Sequence, residues 1–186
     1  MIALVLAFVS VALAMIAGRE SVRVARLVRG GVALVPLIAA IVAVSVLASG
    51  VAAWLAGTFA GLFPPQHQHW LVAAALLLAA LEVLLLGEPD VPAEPTQSLG
   101  AIALVLFAGV LTDASGLLIL SLALATGAPM LSATGGALAL IGVLGMAAFA
   151  GADWEALPRR PLRWTVGGAL LVAAGVIALT PPTALA

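Results

Sequence analysis

Charge is the scarcest commodity in this chain. Only 8% of its 186 residues are charged, against about a quarter in a soluble domain. Too few polar side chains are present to cover a water-facing surface, which excludes an ordinary soluble fold. Cysteine is absent, and with it disulfides, thiolate metal sites and cysteine nucleophiles. Lysine is absent too, so all seven basic residues are arginine. The net charge of −1 leaves no basic field for nucleic acid, and none is expected as a partner. No nucleophile–His–acid set, phosphate loop or HExxH motif occurs, so the chain does not read as an enzyme. What remains is apolar: hydrophobic residues make up 65%, and the mean hydropathy is +1.30. Lipid is the solvent this composition asks for.

A bilayer crossing needs about 20 apolar residues. Six such runs are present, at 2–22, 31–58, 70–87, 99–126, 130–151 and 164–181. Glycine, proline and charged residues separate them, as in Phe63-Pro64-Pro65-Gln66-His67-Gln68-His69 and Leu157-Pro158-Arg159-Arg160-Pro161. Open sheet edges cannot face hydrocarbon, and the alternating strands of a barrel are absent, so the runs are predicted to be helices. The fold class expected is an all-α, polytopic membrane protein of six transmembrane helices. The first run, Met1 to about Ala17, lacks a basic leader, and its charges follow the apolar stretch. It reads as a retained helix rather than a signal peptide.

Arginine sets the orientation. Arg19, Arg23, Arg26 and Arg29 follow the first run, and Arg159, Arg160 and Arg163 lie between the fifth and sixth. Six crossings put both groups on one side, which should be cytoplasmic. Both termini then lie outside, in an inner (cell) membrane, with the lipid bilayer as first partner and other membrane subunits as further candidates. The acidic stretch 88–98, with Glu88, Asp90 and Glu94, becomes a cytoplasmic linker.

That linker divides two similar parts, residues 1–87 and 99–186. Residues 55–86 slide onto 149–180 without a gap at an offset of 94, with 11 identities in 32 positions. Ala and Leu matches are cheap in such sequence, but Gly57/Gly151, Pro64/Pro158 and Trp70/Trp164 share the one register. Three crossings per part mean that the second enters from the opposite side. The expectation is an inverted repeat, an arrangement used by many secondary transporters.

Ionisable residues within the apolar runs are costly and so informative. Asp113 stands in the middle of the fourth run. Gly18-Arg19-Glu20-Ser21 stands late in the first, and Glu82 near the end of the third, within reach of the interface. The offset of 94 sets Arg19 opposite Asp113, which leads us to expect an ion pair across the repeat axis with Glu20 and Ser21 beside it. Its rival is an Arg19 that joins the basic cytoplasmic cluster. His67 and His69 read as solvated loop residues rather than metal ligands. Trp70, Trp154 and Trp164 read as interfacial anchors. Ser115-Gly116 and Thr134-Gly135-Gly136 read first as close-packing positions.

The arrangement resembles the Gdt-type manganese/calcium–proton exchangers, a family near the lysine exporters. That family has two inverted three-helix repeats, each opening with a motif E-x-G-D-[KR]-[TS]. Phe107-Ala108-Gly109-Val110-Leu111-Thr112-Asp113-Ala114-Ser115-Gly116 is similar to the second motif, with Asp113 on its Asp and Ser115 on its Ser/Thr. Val110, Thr112 and Ala114 replace its Glu, Gly and basic residue. Ile16-Ala17-Gly18-Arg19-Glu20-Ser21 takes the place of the first, with Gly18 and Ser21 matching and Arg19–Glu20 standing where Asp–Lys is usual. The resemblance implies export of a divalent cation, manganese or calcium, against protons. Asp113 would hold the metal or shuttle protons, and Glu20, Ser21, Ser115, Thr112, Gly18 and Arg19 would line its path. Two other readings stay open: a non-transporting accessory subunit of a membrane complex, and an exporter of an anionic or zwitterionic small molecule.

Overall fold

A computed structural model describes residues 1–86 and 98–180, all in helices and their connections. In order these are α1 (Ile2–Ala17), α2 (Arg19–Arg29), α3 (Leu34–Phe59), α4 (Pro65–Leu85), α5 (Leu99–Thr112), α6 (Ala114–Thr126), α7 (Pro129–Ala150), α8 (Ala152–Glu155) and α9 (Arg159–Leu179). Among the described residues α3, α4, α7 and α9 are each long and apolar enough to cross a membrane. The count is six if the bent pairs α1–α2 and α5–α6 each make one crossing. The acidic stretch 88–97 lies outside the described residues.

Two runs expected as single helices are broken. α1 and α2 meet at 58° and α5 and α6 at 53°. Gly18 and Asp113 are the residues at the breaks. Both are extended, with φ, ψ of −73°, 167° and −74°, 166°. A side chain at Gly18 would bring its Cβ within 2.8 Å of the Ala14 carbonyl oxygen, so the first break needs glycine. Just past the second, a Cβ on Gly116 would meet the Val110 and Leu111 carbonyl oxygens at 2.7 and 2.8 Å. The two breaks are related by 95 residues, as are the N-caps Ala33 and Ala128 of α3 and α7. Pro64 and Pro158, which cap α4 and α9, keep the offset of 94. The register expected for the first run was therefore one residue off.

Proline fixes two other boundaries. Pro65 lies within the first turn of α4, where its missing N–H costs nothing. The expected loop through His69 is thus helix from Pro65 onward. His67 stays exposed, but His69 is buried and lies 5.1 Å from the Trp70 ring. α9 likewise starts at Arg159, which puts three arginines in its first turns.

The core is built of small and branched residues, with Ala7, Val11, Leu37, Ile41, Ala79, Leu118, Leu140 and Ala147 almost wholly buried. α3 packs on α7 and α4 on α9, while α1 packs on α7 and α5 on α3. Glycine permits the closest crossing: a Cβ on Gly135 of α7 would sit 2.2 Å from the Leu4 carbonyl oxygen of α1. Leucine, valine and tryptophan cover the outer surface, including Trp54, Trp70, Leu104, Trp164 and Val172. Trp154 departs from the anchor role. It is only 9% exposed, and the Arg159 guanidinium lies 5.7 Å from its ring centroid.

The arginine-bearing end is tied by specific bonds. Arg26 and Arg29 both reach Glu155, at 3.4 and 3.3 Å. Arg159 donates to the carbonyls of Trp154 and Ile16. Arg163 donates to those of Val83, Leu84 and Leu86, acceptors at the C-terminal end of α4 and its cap.

Candidate functional site

The two breaks and the last turns of α4 bring three carboxylates within one another's electrostatic fields. Glu20 opens α2, Glu82 comes from α4, and Asp113 is the residue between α5 and α6. Trp70 stands twelve residues before Glu82, which puts Glu82 about 18 Å along the helix from that tryptophan. The cluster lies toward the arginine-bearing end of α4, where Arg163 meets the Val83 carbonyl.

Each carboxylate has a distinct setting. Glu82 Oε2 accepts the backbone N–H of Ala114 at 2.9 Å and so caps α6 from outside its own helix. An orphan donor at the break is thereby satisfied. Glu20 is 3% exposed, and its Oε1 accepts from Arg23 at 2.5 Å. Its Oε2 is buried with no hydrogen-bond partner among the described residues. The same carboxylate rests against Gly109, where a Cβ would approach its Cδ and Oε1 to 3.0 Å. The Asp113 carboxylate forms no hydrogen bond or ion pair with another described residue. It lies in the fields of Glu82, Glu20, Arg23 and Arg19.

Glu82 and Asp113 line one small cavity, together with Gly18, Ala79, Ala114 and Ser115. Its volume is about 10 Å³, the size at which a single water is just admitted. No basic side chain lines it. The same Glu82 also borders a shallow groove of about 320 Å³ on the outer surface, so it stands between the two spaces. A further groove, about 540 Å³ between α3 and α7, has no ionisable residue in its lining.

The expected Arg19–Asp113 ion pair does not form. Arg19 makes no ion pair with any described residue, and its Nε is buried without a partner. The breaks account for this: Gly18, not Arg19, is the extended residue at the first break, as Asp113 is at the second. A shift of one position turns a side chain about 100° around its helix. Arg23, one turn further along, is the cation that pairs with Glu20.

The hydroxyls expected along the path are turned inward on their own backbone. Ser21 donates to the Gly18 carbonyl at 3.1 Å, Ser115 to Val110 at 3.3 Å and Thr112 to Ala108 at 2.8 Å. Gly18 and Ser115 do line the small cavity, whereas Thr112 borders only the outer groove. Asp113, the residue singled out for metal, meets no third ligand: no group of three or more His, Asp or Glu side chains able to hold a metal converges among the described residues. Glu82 is the site residue that motif reading passed over. Its only signal was an acid inside an apolar run, and its distance from both motifs hid the rest.

No protein-family model matches this chain, and no curated protein or solved structure matches it either.

Proposed function

We propose that this chain is a membrane transporter made of two inverted three-helix halves, moving a small inorganic cation in exchange for protons. The observation that carries the reading is the pair Glu82 and Asp113, from different halves, facing one small cavity at a helix break. Irregular backbone is tolerated inside a bilayer where it lines a path or is covered by protein, and broken helices mark substrate sites in many transporters. The matching geometry of the Gly18 and Asp113 breaks supports a duplicated origin. So does the exchange of partners, with α1 on the second half's α7 and α5 on the first half's α3.

The substrate follows from the lining and the resemblance together. Two carboxylates and no basic side chain favour a cation over an anion or zwitterion. The resemblance to Gdt-type exchangers points to manganese or calcium, hard ions that prefer oxygen ligands. In the closed cavity Glu82 is held by Ala114. Parting of α4 from α6 frees its second oxygen, and the two carboxylates then bind either the ion or protons. Glu20, paired with Arg23, sets the charge of the surroundings.

A second reading has its own support. The cavity is nearly closed, and two acids are few for a divalent ion, which suits a non-transporting subunit whose polar cluster locks the helices together. Flux separates the two. Manganese and calcium uptake into proteoliposomes under an imposed proton gradient is expected for the wild type and lost in Asp113→Asn and Glu82→Gln. Absence of gradient-driven flux in a well-folded, correctly inserted wild type would leave the accessory reading in place.

A further inference from the structure

Glu82 lines the outer groove as well as the small cavity it shares with Asp113. Leu78, Leu81, Leu85 and Leu117 form the groove's walls, and all four are exposed on the surface that meets lipid. The groove holds about 320 Å³ of open space, and no basic residue lines it. Glu82 Oε2 is occupied by the Ala114 N–H, but Oε1 has no hydrogen bond or ion pair with a described residue. The Arg163 guanidinium, at the end of α4, is committed to the Val83, Leu84 and Leu86 carbonyls.

A carboxylate open to a leucine-walled, lipid-facing groove is costly unless something neutralises it. A hard inorganic ion is a poor occupant there, since it requires six or more oxygens and the groove supplies very few. A cation whose charge is spread over an apolar body meets both demands. Its substituents cover the leucines, and its charge lies against Oε1. Occupants of this kind dissolve in the bilayer and reach the groove sideways.

We propose that this groove is a binding site for lipophilic monocations, quaternary ammonium or phosphonium ions bearing aromatic or alkyl groups, with Glu82 as the charge partner. The site needs only the groove and the open oxygen, and it stands whether or not an inorganic ion crosses the cavity behind it.

The test is equilibrium binding of radiolabelled tetraphenylphosphonium to the full chain in lipid nanodiscs. Saturable binding is expected for the wild type. Glu82→Gln should weaken it at least tenfold, while its amide oxygen can still accept the Ala114 N–H and keep α6 capped. Leu117→Trp, which fills the groove and leaves the charge in place, should weaken it as well. Tetraphenylborate, of the same shape and opposite charge, should not compete. No saturable binding by the wild type overturns the proposal, and a groove already held by a second copy or a resident lipid would give that result. Equal binding by Glu82→Gln, or displacement by tetraphenylborate, overturns it as well, by showing that charge plays no part.

Discussion

Glu82 of α4 holds the start of α6 through the Ala114 N–H, at 2.9 Å, so one carboxylate both lines the small cavity and caps a helix. The two roles separate by substitution. Glu82→Ala loses the acceptor and should cost about 1 kcal/mol of stability, as loss of a helix cap usually does. Glu82→Gln retains an acceptor and should melt within a degree or two of wild type (about 0.5 kcal/mol or less for a silent change). Both should lose cation flux. Thermal unfolding in detergent beside proteoliposome flux makes the comparison, and equal destabilisation by Gln and Ala would deny the capping role.

Gly109 is the seat of the Glu20 carboxylate. In Gly109→Ala the new methyl would lie about 3.0 Å from Glu20 Cδ and Oε1, tighter than nine in ten such contacts. The carboxylate must move, and the Glu20–Arg23 pair with it. Overpacking of this kind typically costs about 1–3 kcal/mol. A lowered melting temperature together with reduced flux is expected, and restoration by the shorter Glu20→Asp in the double variant would show that the clash is with this side chain. If the single variant melts and transports like wild type, the Gly109–Glu20 contact is not a constraint.

The α1–α7 crossing depends on Gly135. A Cβ there would meet the Leu4 backbone oxygen at 2.2 Å, and backbone cannot rotate away. Gly135→Ala should therefore destabilise by about 1–3 kcal/mol or more. Gly142 of the same helix has open space around it. There the alanine should be neutral or stabilise by about 0.5–1 kcal/mol through helix propensity. Chemical denaturation in mixed micelles ranks the two, and the reverse order would mean that the helices cross elsewhere.

The chain's lack of cysteine makes its topology directly measurable. His67 and Arg160 are both exposed, His67 beside the start of α4 and Arg160 in the first turn of α9. If each bent pair makes one crossing, His67→Cys and Arg160→Cys label from opposite sides of sealed vesicles with a membrane-impermeant maleimide. Labelling of both from one side would contradict the six-crossing arrangement.

The polar cluster shows where sequence reading stops. Asp113 and Glu20 were legible as acids inside apolar runs, and Gly18 as part of a motif-like stretch. Their partners were not. Arg19 was expected on Asp113, but in this cluster the ion pair is between Arg23 and Glu20. Spans built of alanine, leucine and valine carry little register information, so a repeat aligned on Gly57, Pro64 and Trp70 does not reveal one extra residue farther upstream. Glu82 was visible, but its approach to Ala114 joins residues 32 positions apart, and nothing local announces it.

The sequence alone determined the all-helical class, the approximate helices and that several are apolar enough to span a membrane. Those follow from composition and from runs long enough to span hydrocarbon, which are properties of the chain read in order. The three-dimensional structure decided that two of the runs break, at Gly18 and Asp113, and the close approach of Gly18 to the Ala14 carbonyl oxygen, which leaves no room for a Cβ, is displayed only by coordinates. It also decided which acids meet. Charges in a bilayer are satisfied by whatever lies across the helix interface, and rotation of a helix by one residue is enough to change the partner.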